Sequence, residues 1–168
     1  LEATRALLNK RRADYPDLQQ PDIALFGTAE EMLKIYSAFS ADYIGMMART
    51  EQDMEIYLEG ARRLGEYAYS DGKAYALLNE TDYGADIYEL AGADTAGLLS
   101  SLAEEFGALT FRLPRDTIPS LPAMRTGEIM FSMICPLNED ILLENTGAQT
   151  TEELASGEYG RVCTLEFC

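Results

Sequence analysis

The chain has 168 residues, 47% of them hydrophobic, enough for one domain with a sizeable core. Acidic residues outnumber basic ones 29 to 13, and a net charge of −16 speaks against a nucleic-acid binder or a protein drawn to an anionic membrane. There is no histidine, which excludes His-based triads, His-ligated zinc and an imidazole general base.

The three cysteines, Cys135, Cys163 and Cys168, form no CxxC pair and are odd in number. A disulfide framework is not expected, and a reducing, cytoplasmic setting is. No apolar run is long enough to span a membrane. No signal peptide is visible, and the chain opens with Leu1 rather than Met, so a piece of a longer protein is expected.

In chain order, Leu1 to Ala13 has the pattern of a lead-in helix, with Lys10, Arg11 and Arg12 in its last turn. Tyr15-Pro16 to Pro21-Asp22 is a break, so residues 1–27 are expected as lead-in helix and linker and 28–168 as a single compact domain. Thr28 to Met47 is expected as the first strong helix. Thr28 and Glu31 form a capping box, and Met32, Tyr36, Phe39, Tyr43 and Met46 fall on one face. Thr50, with Asp53 at the third position, starts a second helix whose stripe is Met54, Tyr57, Leu58, Ala61 and Leu64; Gly65 ends it.

The period then changes from helical to alternating. Glu66 to Ser70 and Lys73 to Asn79 are two strands around Asp71-Gly72, a hairpin signal. Gly84 to Pro114 reads as strand, helix and strand, which is most simply a right-handed parallel crossover. Asp94 or Thr95 caps its helix, Leu98, Leu99, Leu102 and Phe106 face inward, and Gly107 closes it. The carboxyl ends of the two strands and the helix N-terminus make the ligand-facing edge of such a unit. A proline-rich loop follows, then a strand over Glu128 to Cys135. Asn138 to Asn145 fits a short helix or a strand. Thr150 or Thr151 caps an acidic turn, and Gly160 to Cys168 reads as a last strand.

This order resembles the GNAT N-acetyltransferase fold, and more narrowly the second, degenerate GNAT domain of tandem-GNAT Eis-like acetyltransferases. The resemblance runs from Thr28 to Leu137. It is carried by the DG hairpin followed by Lys73-Ala-Tyr75, by Glu89-Leu90 at the end of the third strand, by the Leu98-Leu99-Ser-Ser-Leu102 helix and by Phe111-Arg112-Leu113-Pro114. It implies an α/β fold: a mixed, mostly antiparallel sheet with a central parallel crossover, flanked by helices. It also implies acetyl-CoA as the cofactor of the full-length protein. An active member carries a Gln/Arg-x-x-Gly-x-Gly/Ala turn before the crossover helix, whose N–H groups hold the diphosphate. Here the turn is Ala91-Gly92-Ala93-Asp94-Thr95-Ala96-Gly97, without Arg or Gln. Asp94 also sets a carboxylate where the diphosphate would lie, and two like charges about 4 Å apart cost on the order of 4 kcal/mol near a protein surface. No cofactor is therefore expected on this chain, and a missing N-terminal GNAT domain is expected to hold it.

Two residues are candidates for catalysis. Glu89, at the carboxyl end of the third strand, has the chemistry of a general base, or equally of a carboxylate paired with a neighbouring Arg. Tyr88 and Glu89 point to opposite faces unless a bulge intervenes. The terminal carboxylate of Cys168 is the second candidate, through the resemblance alone, since in the Eis group that carboxylate reaches the first domain's active site. No metal site is expected. The acidic surface suits a cationic amine acceptor. The alternative is a non-catalytic interaction or small-ligand-binding module, with Tyr43 and Met46-Met47 at an interface and a homo-oligomer among its forms.

Overall fold

The computed structural model describes residues 2–9, 22–44 and 46–114, and beyond them 119, 121, 124–130, 143–144, 149–150, 153 and 161–162. The elements are β1 (Glu2–Asn9), β2 (Ala24–Leu25), α1 (Ala29–Ser40), β3 (Tyr43–Ile44), α2 (Glu51–Leu64), β4 (Tyr67–Ser70), β5 (Ala74–Thr81), β6 (Gly84–Gly92), α3 (Thr95–Phe106), β7 (Ala108–Pro114), β8 (Met124–Met130) and β9 (Arg161–Val162). Seven strands form one sheet in the order β2-β4-β5-β6-β7-β1-β8, and β3 pairs with β9 apart from it. Every pairing in the large sheet is antiparallel except β6 with β7. The mixed sheet with a central parallel crossover is therefore present, with helices on both faces.

Most of the local signals formed as expected. Thr28 accepts from the Glu31 N–H at 3.2 Å while Glu31 accepts from the Thr28 N–H at 3.3 Å. Thr50 and Asp53 repeat the arrangement at 3.2 and 2.8 Å. Each box satisfies two N–H groups that the first turn leaves without partners. Gly65 ends α2 in the left-handed region, at φ 77. In the hairpin between β4 and β5, Asp71 Oδ1 accepts from the N–H groups of Lys73 and Ala74, both at 2.8 Å. Further on, Thr150 accepts from the Glu153 N–H at 3.1 Å, as its expected capping role requires.

Alternation along the strands divides the core in two. Ala74, Ala76 and Leu78 of β5, with Ala85, Ile87 and Leu90 of β6, pack under Leu98, Leu99 and Leu102 of α3. Tyr75 and Leu77, on the other face, pack with Met32, Ile35 and Tyr36 of α1 and Met54 and Leu58 of α2. The functional question lies on this second face.

Three expectations are corrected. Glu2–Asn9 is a strand rather than a lead-in helix, and it lies between β7 and β8 with Ala3 opposite Pro114 and Ile129. Most of its residues (Glu, Ala, Arg, Leu) are good helix formers, but intrinsic propensity is worth only tenths of a kcal/mol per residue. The unpaired N–H and C=O groups along β7 and β8 offer a full ladder on both sides, and tertiary pairing outweighs propensity. The first helix ends at Ser40, short of Met47. The Ala41 and Asp42 N–H groups fold back onto Ser37 and Phe39 carbonyls, both at 3.3 Å. The chain then enters β3, whose partner β9 is remote in sequence. The strand expected at Glu128 starts at Met124, while 131–137 and the three cysteines lie outside the described residues.

Candidate functional site

The crossover sets the site. β6 pairs with β7 only from Ala85 opposite Leu109 to Ile87 opposite Phe111. Beyond those rungs β6 pairs only with β5 and β7 only with β1, so the two carboxyl ends part. α3 begins beside this opening. Thr95 is its first residue and Asp94 occupies the cap position, but the Asp94 side chain makes no capping bond and is exposed. Arg112, one residue past the last parallel rung, is engaged in an interaction of its own.

A bulge in β6 decides what faces the second core. Leu78 lies opposite Ile87 and Leu77 opposite Glu89, so Tyr88 is the extra residue. The bulge shifts the alternation by one. Tyr88 and Glu89 consequently turn toward the same layer, that of α1 and α2, which is the condition on which they could share a site.

Glu89 meets Arg49 there. The guanidinium donates from Nη1 to Oε1 and from Nη2 to Oε2, both at 2.8 Å, and the Tyr75 hydroxyl also donates to Oε1. The side chains of Arg49 and Glu89 are 7% and 10% exposed. Arg49 lies over two rings, with its guanidinium carbon 4.3 Å from the centroid of Tyr36 and 4.5 Å from that of Tyr57. Two π faces and a bidentate carboxylate are strong partners for a desolvated cation. Tyr36 is itself fixed by donating to the Met47 carbonyl at 2.6 Å, and Tyr88 donates to Glu66 at 2.6 Å.

The electrostatics follow from this crowding. Burial works against the Arg49 charge, but its bond to Glu89 and the Glu89 field outweigh that, and the group is held above its ordinary value. Burial pushes Tyr75 well above the usual phenol range, and the adjacent Glu89 carboxylate adds to it. Tyr57 moves up for the same two reasons, and Tyr88 through burial and then its bond to Glu66. Tyr57, Tyr75 and Tyr88 thus stay protonated at neutral pH.

Of the two residues expected to take part in chemistry, Glu89 is placed with both oxygens engaged, and Cys168 lies outside the described residues. Tyr43, expected at an interface, is 9% exposed, whereas Met47 is 52% exposed. Arg49 was missed as the partner of Glu89. Its signal is positional: it directly precedes a Thr-x-x-Asp capping box, where an apolar residue is usual. A hollow of about 430 Å³ lined by Glu55, Ile56, Glu59, Gly60 and Arg63 lies on the outer side of α2 and shares no residue with the cluster. Among the described residues no three acidic or sulfur ligands converge on a metal position, and no helix is long and apolar enough to cross a membrane.

No family model matches the sequence, and no curated protein matches it. Solved structures do match. A GCN5-related N-acetyltransferase from Kribbella flavida superposes with a TM-score of 0.51 and 15% identity, over 76% of this chain and 36% of that one. A conserved protein of unknown function from Enterococcus faecalis, described as a "Probable N-Acyltransferase", gives 0.50 and 14%, over 76% of this chain and 38% of that one. At such identities the likeness is one of fold, and the fold is GNAT-like. The chain spans little more than a third of the length of these two structures.

Proposed function

We propose that this chain is the C-terminal GNAT-like domain of a GNAT-family N-acetyltransferase, of the degenerate kind found second in tandem-GNAT enzymes. In this reading it helps form the site of a cationic amine acceptor, while an N-terminal domain holds acetyl-CoA. The observation that carries it is the mouth of the crossover. The strands part as a ligand-holding crossover requires, yet Tyr88 to Leu98 contains no Lys, Arg, Asn or Gln, and an exposed Asp94 stands at the helix N-terminus without capping it. These residues do not fit a diphosphate. The fractional coverage of the two solved structures agrees with a domain that works beside another.

Glu89 is assigned a different part from that of a base. A general base needs a carboxylate oxygen that is open to the proton it takes. Both Glu89 oxygens are already committed to Arg49, and one of them to Tyr75 as well. We assign the pair to shaping the wall on which the acceptor rests. A second reading, a non-catalytic interaction module, draws on the exposed apolar residues Met47, Ile56 and Leu64.

Calorimetric titration of the chain with acetyl-CoA tests the proposal. No heat of binding is expected, and no thermal shift. Micromolar binding, with the turn at Ala91 to Gly97 protected from hydrogen exchange, would overturn it. A stable dimer by light scattering, together with no gain of acetyl transfer on adding the N-terminal domain, would favour the second reading.

A further inference from the structure

We infer that the outer face of α2 is an interface for a second copy of this chain, with the two α2 helices antiparallel across a two-fold axis near Gly60. This face shares no residue with the cluster around Glu89, and dimerisation alone fits either reading of the function.

Gly60 stands inside a helix of 14 residues, where glycine weakens the structure by the backbone freedom it gives up. Among the described residues nothing requires it. Its backbone is helical, and a Cβ built there meets no atom within 4 Å. The missing side chain instead leaves a hollow of about 430 Å³, lined by Glu55, Ile56, Glu59, Gly60 and Arg63. Such a gap in a helix surface receives the ridge of another helix and lets the two backbones approach closely.

The residues around the hollow are suited to a copy of themselves. Ile56 and Leu64 lie about one turn before and after Gly60 on the same ridge, 64% and 76% exposed. An antiparallel two-fold through Gly60 sets Ile56 of each copy against Leu64 of the other, which removes both from water. Charge selects the antiparallel arrangement. Glu59 and Arg63 lie together on one side of the ridge, joined by an exposed ion pair at 2.9 Å. An antiparallel two-fold brings like sides of the two helices together, so each Glu59 comes beside the Arg63 of the other copy, twice by symmetry. A parallel pair would set these charges beside Leu64 of the other copy and lose the match. The net charge of −16 opposes association at long range, but salt screens it beyond about 8 Å at physiological ionic strength, and the facing pairs lie within that distance.

Sedimentation velocity of the whole chain at about 0.15 M salt tests the inference. A monomer–dimer equilibrium is expected, with the dimer fraction rising over about a hundredfold range of concentration. Gly60→Gln fills the hollow and should weaken the dimer at least about tenfold, while its urea midpoint, measured on the dilute monomer, does not fall. Glu59→Arg and Arg63→Glu should each weaken it by a similar factor. An equimolar mixture of those two variants should regain it, because each copy then faces the opposite charge on the other. A chain that sediments as a monomer at every concentration overturns the inference. So does a dimer unaffected by Gly60→Gln, or a mixture of the two charge variants that associates no better than either alone. Acetyl-CoA takes no part in this assay, so its outcome is independent of the titration that tests the proposed division of labour.

Discussion

Arg49→Met isolates the buried ion pair. Methionine keeps an unbranched stem against the rings of Tyr36 and Tyr57 and removes the guanidinium with its charge and its N–H donors. Glu89 is then left 10% exposed with the Tyr75 hydroxyl but no cation. Breaking a buried pair from one side costs about 3–5 kcal/mol. One wall of this pair, Tyr57, is 38% exposed. Water therefore reaches the carboxylate once the guanidinium is gone, and about 3 kcal/mol, the lower end of that range, is expected. In a chain of this size each kcal/mol moves the melting temperature by about 2–4 °C, so a fall of about 6–12 °C follows. Removing both charges, with Arg49→Met and Glu89→Leu together, leaves no uncompensated ion and should cost less than Arg49→Met alone. The coupling energy expected from the cycle is about 2 kcal/mol. Urea unfolding at neutral pH measures all four proteins, followed by tyrosine emission because the chain has no tryptophan. If Arg49→Met costs less than about 1 kcal/mol, or the coupling is within about 0.5 kcal/mol of zero, the pair does not hold this face together and the reasoning fails.

Alkaline pH should unfold the protein through its tyrosines. Tyr57, Tyr69, Tyr75 and Tyr88 are all raised, burial first in each case, and an unfolded chain releases these protons near pH ~10. The folded state thus holds more protons above that pH, so stability is full below about pH 10 and falls as pH rises beyond it. A urea midpoint that stays level from about pH 9 to 11 would contradict this. Thr50→Ala should cost about 1 kcal/mol by denaturant unfolding, whereas Asp94→Ala, whose side chain makes no capping bond, should change stability by less than about 0.5 kcal/mol; equal losses would refute the distinction. Gly84→Ala should destabilise by at least about 2 kcal/mol, since Gly84 has φ 137 and its added Cβ would stand 2.0 Å from the Ala108 carbonyl oxygen. Gly60→Ala, where the new methyl meets nothing within 4 Å in an exposed helix, should instead stabilise by about 1 kcal/mol.

The parts legible in advance share a short range of interaction. Both capping boxes join residues three apart, and Asp71 bonds to the N–H groups two and three residues on, so local sequence suffices to specify them. The crossover was legible because two apolar runs flank a helical stripe that ends at Gly107, and short connections admit few topologies. The mouth of the crossover could be judged residue by residue for the same reason, since its turn is one continuous stretch.

The remainder depends on partners far apart in the chain. Glu2–Asn9 became a strand because β7 and β8 left open ladders on either side, and nothing within those residues records that. The bulge at Tyr88 exists through its register with Leu77 and Leu78, so the face that Tyr88 and Glu89 share was open until the pairing was known. Arg49 and Glu89 stand 40 residues apart. Composition supplied the carboxylate, the arginine and the tyrosines. Their convergence follows from packing α1 and α2 against the bulged strand, because only burial in common brings such distant side chains to one place and makes the charge of one the condition for the other.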